Sequence, residues 1–163
     1  MKRLTTSTLL LALVSILGQT AAAHTRSESY SHWHVSDNRI TAAVTTPLRE
    51  VMILYESGDA SIPARELFQQ HLLDNTNVIG AGEICPQTGS NILQAASGFI
   101  RVELQFDCAD AAPDTIEYRA MFDQVPAHVH YAKLHIGGSL VGEALLTDSA
   151  DSKPSPVAVL IFR

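Results

Sequence analysis

Histidine is the side chain through which this sequence is best equipped to do chemistry. Seven are present, and six fall in two groups: His24, His32 and His34 early in the chain, and His128, His130 and His135 late in it. Neutral imidazole is a good ligand for copper, nickel or zinc. In an extended strand residues two apart share a face, so His32 with His34 and His128 with His130 each form a same-side pair. His135 points the other way from His128 and His130 and is the least suited of the group to act as a ligand. If the two strands meet, up to four imidazoles converge.

His24 has a further property that depends on processing. Cleavage after Ala23 frees an α-amino group on the same residue as an imidazole, and both nitrogens chelate one Cu(II). A second histidine, His128 or His130, would complete a T-shaped three-nitrogen arrangement of the histidine-brace type, which suits the tetragonal preference of copper. The competing reading of each histidine pair is a plain polar strand face. Trp33 and Tyr131 read equally as core or interface packing, Asp123 as a turn-former ahead of Pro126, and His71 as a solvated side chain on a helix.

Enzyme signatures are scarce. The sequence contains no Gly-x-Ser-x-Gly elbow, no phosphate-cradling glycine loop and no His-Glu-x-x-His helix. Glu28, Asp37 and Asp123 lie near the histidines without a spacing that demands catalysis, so a binding role is preferred to an enzymatic one.

The elements that must position these residues read mostly as strands. Tyr30 to Val35 alternates, Ser36-Asp37-Asn38 supplies turn chemistry, and Arg39 to Thr45 alternates again, which predicts a β-hairpin. Its buried face would carry Trp33, Val35, Ile40, Ala42 and Val44, leaving His32 and His34 on the other. Ser61-Ile62-Pro63 followed by Arg65 to Leu73 predicts one short helix. Further strands are expected near Glu83 to Cys85, Phe99 to Phe106, Thr115 to Phe122, Val129 to Ile136, Leu140 to Leu146 and Val157 to Phe162. The stretch Asp148 to Pro156 reads as a polar loop. The sum is a mainly β domain, an immunoglobulin-like β-sandwich with one inserted helix.

Bulk properties set the compartment. Lys2 and Arg3, the apolar run Leu9 to Leu17, Gly18 and then Ala21-Ala22-Ala23 follow the order of a cleavable signal peptide, residues 1–23. The run is too short for an anchor, since a membrane span needs roughly 20 apolar residues. Cleavage leaves residues 24–163 as a single soluble domain without a transmembrane helix, and takes the formal charge from −6 to −8 as Lys2 and Arg3 are lost. That charge repels nucleic acid. Cys85 and Cys108 are the only cysteines. In an exported chain an even count favours a disulfide, while two buried thiols or a copper(I) site is the weaker alternative for want of a Cys-x-x-Cys spacing.

The segment Ala23-His24-Thr25-Arg26-Ser27-Glu28-Ser29-Tyr30, followed by a hairpin, resembles the start of the extracytoplasmic domain of HupE/UreJ-like membrane proteins. Tyr118 to His128 is similar to that family's strand leading into an acidic-Pro-x-His turn, and Cys85 and Cys108 sit where its cysteine pair would fall. The resemblance implies an exported β-rich domain with hydrogenase- or urease-accessory associations, hence nickel or another transition metal. The family's multi-helix membrane region is absent here, so transport does not carry over. Val125 stands before Pro126 where the family prefers an acid. His24 and His128 are the two histidines at matching positions.

The expectation from sequence is thus a periplasmic or secreted accessory domain binding copper or nickel, with His24 and His128 as first ligands and His130, His32 or His34 as a third. The alternative is an interaction module that docks on a membrane-protein partner and whose histidines are incidental.

Overall fold

The computed structural model describes residues 27–56 and 61–147, together with the backbone of residues 158–161. The segment 1–23 expected to be a signal peptide, His24 and the stretch Asp148 to Pro156 expected to be a polar loop lie outside the described residues.

The alternating segment at the start forms the expected hairpin, β1 (Glu28–Ser36) and β2 (Arg39–Pro47). Ser36 pairs with Arg39 across a two-residue turn, and Asp37 takes φ 54, a left-handed conformation that Asp tolerates better than most residues. Trp33, Val35, Ile40, Ala42 and Val44 are all buried. Pro47 ends β2 and opens a single turn, α1 (Leu48–Val51), continued by a 3-10 segment at Met52–Glu56. The expected helix is α2 (Ala64–Asp74), started at Pro63 and seated in the core by Phe68 and Leu72.

The strands that follow are β3 (Thr76–Gly80), β4 (Glu83–Ile84), β5 (Gln87–Leu93), β6 (Phe99–Asp107), β7 (Pro113–Tyr118), β8 (Val129–Ile136), β9 (Ser139–Thr147) and β10 (Ala158–Ile161). They make a β-sandwich of a six-stranded sheet, in the order β5-β6-β2-β1-β8-β9, and a four-stranded sheet, β10-β7-β3-β4. Six and four strands with a parallel β1–β8 pair inside the larger sheet do not by themselves make the immunoglobulin arrangement of seven or nine strands. Strands β3 and β5 and the α1 turn are additions to the expectation.

One core fills the space between the sheets and α2, with Trp33, Leu104, Ile116, Tyr118 and Phe68 among its fully buried members. Cys85, just after β4, and Cys108, just after β6, form a disulfide that ties the smaller sheet to the larger one. Beside it the backbone N–H of Cys108 donates to Asn38 O at 2.8 Å, docking the first hairpin turn on the same corner. No helix among the described residues is long and apolar enough to cross a membrane.

For the histidines, the decisive feature is the parallel pairing of β1 with β8. Ser29 is opposite His130 on the inner face, and His34 is opposite His135 on the outer face. The two histidine-bearing strands are therefore neighbours, as convergence required, but they present their same-side pairs to opposite sides of the sheet.

Candidate functional site

On the inner face, three serines of alternate positions interleave with two histidines. Trp33 Nε1 donates to Ser31 Oγ at 2.7 Å, and Ser31 Oγ lies 2.7 Å from His130 Nε2. His130 Nδ1 is 2.6 Å from Ser29 Oγ, which is 2.7 Å from His128 Nε2. His128 Nδ1 is 2.6 Å from Ser27 Oγ, which donates to Glu50 Oε2 at 2.5 Å. The indole is only a donor and the carboxylate only an acceptor, so the two ends fix the polarity. Each hydroxyl donates toward Glu50, and each imidazole carries its proton on Nδ1. Arg49 Nε holds the far Glu50 oxygen at 3.1 Å.

Burial explains why both imidazoles stay neutral. His128 and His130 are 1% and 0% exposed. Desolvation, with a smaller contribution from His128 beside it, lowers His130 to about 3. It lowers His128 to about 4 against the opposing pull of Glu50 and Glu28. Tyr118 stacks on His130 at 4.0 Å between ring centroids, and Phe122 meets His128 edge-on at 5.5 Å. His128 is delivered by a turn in which its N–H donates to Val125 O at 2.8 Å, with Pro126 at the second position, where its fixed φ belongs.

On the outer face, His135 stacks between its neighbours, 4.6 Å from His34 and 5.7 Å from His32 between centroids. Tyr30 and Tyr131 stack one step along, at 5.4 Å. Partial burial is the largest cause lowering the pKa of His32, followed by the nearby His135, Lys133, His34 and Arg101. Lys133 is itself paired with Glu143 at 2.9 Å.

These placements revise the ligand set. His128 and His130 have both ring nitrogens engaged by serine hydroxyls, which leaves no lone pair for a metal. His32 and His34 do not converge with them. His135, the least favoured on sequence, joins His32 and His34, because the same reversal of face that removes it from its own strand neighbours brings it beside theirs. His24 lies outside the described residues. In the conformation described, no group of three histidine, cysteine or carboxylate side chains among the described residues is arranged to hold a metal; the outer rings stack instead of aiming their nitrogens at one point.

One other expectation changes. His71 is not simply solvated: its Nε2 accepts the backbone N–H of Met121 at 3.0 Å, supporting a residue held at φ 72. Burial lowers its pKa, with Asp74 and Asp123 pulling the other way. Of the acids, Glu28 accepts from Tyr30 OH at 2.6 Å, while Asp37 and Asp123 are exposed turn residues. Ser29, His128, Ser27 and Glu50 have the atom order of a relayed nucleophile, base and acid, yet Ser29 is 0% exposed, beyond the reach of a substrate. The serine ladder was missed on sequence, although Ser27, Ser29 and Ser31 share the alternation of the buried Trp33 and Val35. Hydroxyls on a buried face need partners.

No protein-family profile matches this chain, and no curated protein does either.

Proposed function

We propose that this chain is an exported accessory domain, of the extracytoplasmic HupE/UreJ-like kind, that binds copper or nickel on the outer face of its larger sheet through His32, His34 and His135. The observation that carries the reading is the placement of His135 beside an i, i+2 histidine pair across the parallel β1–β8 register. Two nitrogens bound to one metal, each at about 2 Å, lie roughly 3 Å apart. Rings whose centroids are 4.6 and 5.7 Å apart reach that spacing by rotation about χ1 and χ2 between staggered wells. The depressed pKa of His32 keeps that ring in its ligand form. The Cys85–Cys108 disulfide suits a periplasmic or secreted location.

Isothermal titration of the processed protein with Cu(II) and Ni(II) tests this. Copper should bind more tightly than nickel, and His32→Ala, His34→Ala and His135→Ala should each weaken binding at least tenfold while His24→Ala leaves it intact. Equal affinity in wild type and the triple variant would overturn the proposal; loss in His24→Ala alone would move the site to the amino terminus.

One observation favours the docking alternative. Strand β9 ends the six-stranded order and exposes Leu140, Val141 and Leu145 by 50–55%. Such an edge is a template for strand addition by a membrane-protein partner. That reading expects Leu145→Lys to abolish recovery of a stoichiometric partner from membranes while metal titration is unchanged.

A further inference from the structure

Six lysines and arginines occur among the described residues, and four of them pair with a carboxylate within 4.0 Å: Arg39, Arg49, Arg119 and Lys133. The two that do not, Arg65 and Arg101, line the same cleft, of about 430 Å³, where the start of α2 meets the ends of β5 and β6. In a chain with seventeen acids and eleven bases, carboxylates are the commoner charge. Leaving two cations unpaired at one place is therefore a specific arrangement, and Arg101 Nε is moreover shielded from solvent without a partner. A buried donor left unpaired is costly, and no side chain among the described residues satisfies this Nε.

The rest of the cleft is apolar. Leu48, Ile92 and Phe99 line it and are 40%, 38% and 42% exposed, among the largest apolar side chains left open to solvent. A second cleft, of about 490 Å³, shares Leu48 and Phe99 and continues the apolar floor past Met52 and Pro47. A small inorganic anion would leave this floor wet, and an uncharged hydrocarbon would leave the guanidiniums unpaired.

We propose that the paired clefts bind an anionic amphiphile, a free carboxylate of the fatty-acid type. Its head lies against Arg65 and Arg101, and its hydrocarbon runs over Leu48 and Phe99 toward Met52. Bidentate pairing with guanidinium matches carboxylate geometry, and the combined volume falls in the range of small-molecule sites.

Titration of the processed protein with hexanoate, octanoate and decanoate below micelle formation, followed by backbone amide NMR, reads this out. Affinity should rise with chain length, and the shifted amides should cluster around Leu48, Arg65, Phe99 and Arg101. Decanol and decyltrimethylammonium should bind at least tenfold more weakly. Arg65→Gln, at an exposed position, should weaken decanoate at least fivefold with an unchanged melting temperature, Arg101→Gln should do the same, and His135→Ala should have no effect, separating this site from the metal face. Decanoate binding equally tight in Arg65→Gln, equal binding of decyltrimethylammonium, or association with phosphatidylglycerol vesicles but not with monomeric decanoate would each overturn the proposal.

Discussion

At the residue scale, the inner serine–histidine ladder ties stability to acidity. His128 and His130 ionise near 4 and 3 in the folded chain, and near 6.5 when unfolded. Between those values the unfolded chain binds more protons, so stability rises with pH across that window. It is fully present above about pH 6.5 and drains as pH falls toward 4. Thermal melts from pH 7.5 to pH 4 should show a steadily falling midpoint; a flat profile would mean that the two imidazoles are not held neutral by the fold. Ser29→Ala removes the hydroxyl shared by both rings and leaves one nitrogen of each unpaired, at a cost of about 3 kcal/mol in urea unfolding. The same-side pairing of His32 with His34 was readable from alternation alone. So was its position on the face opposite Trp33 and Val35, away from the core; that His128 and His130 face inward was not, because that depends on how β8 docks beside β1, about a hundred positions away in the chain.

At the element scale, the β8–β9 hairpin depends on Gly137 and Gly138, both at positive φ, 56 and 84. Consecutive left-handed residues make the two-residue turn whose twist matches the strands it joins. A Cβ at Gly138 would meet nothing within 4 Å, so Gly138→Ala should cost about 1 kcal/mol through backbone conformation alone, measured as a lower urea midpoint with an unchanged slope. The turn matters to the site because β9 shifts register between Leu134 and His135, and the hairpin holds His135 beside His34. The first hairpin, the helix and the strand at Val129 to Ile136 were legible from periodicity and breakers. Strand β5 was not: Gln87-Thr88-Gly89-Ser90-Asn91 carries no apolar alternation, and pairing with β6 supplies what local propensity lacks. Strand β3 was missed for a related reason, since five residues directly after a helix offer too short a pattern to separate from its end.

At the scale of the whole molecule, the Cys85–Cys108 bridge joins the two sheets across a sequence separation of 23. Its reduction should lower stability by about 3 kcal/mol in the chain-entropy account, read as a fall in melting temperature with reductant. The six-stranded sheet divides the chain's chemistry in two. Its inner face uses two histidines in packing and hydrogen bonding, and its outer face carries three in a stack, His32 and His34 exposed and His135 half-buried. The outward placement of His32 and His34 was legible from the alternation of the first hairpin; the inward placement of His128 and His130, and the company His135 keeps, follow only from the parallel pairing of two distant strands.

The central claim, that His32, His34 and His135 together hold a transition metal, is tested most directly by electron paramagnetic resonance of the processed protein with one equivalent of Cu(II). The account predicts nitrogen superhyperfine structure from imidazole ligands that is lost or reduced in His135→Ala and unaffected by His24→Ala. An unchanged spectrum in the His32→Ala, His34→Ala, His135→Ala triple variant would contradict it.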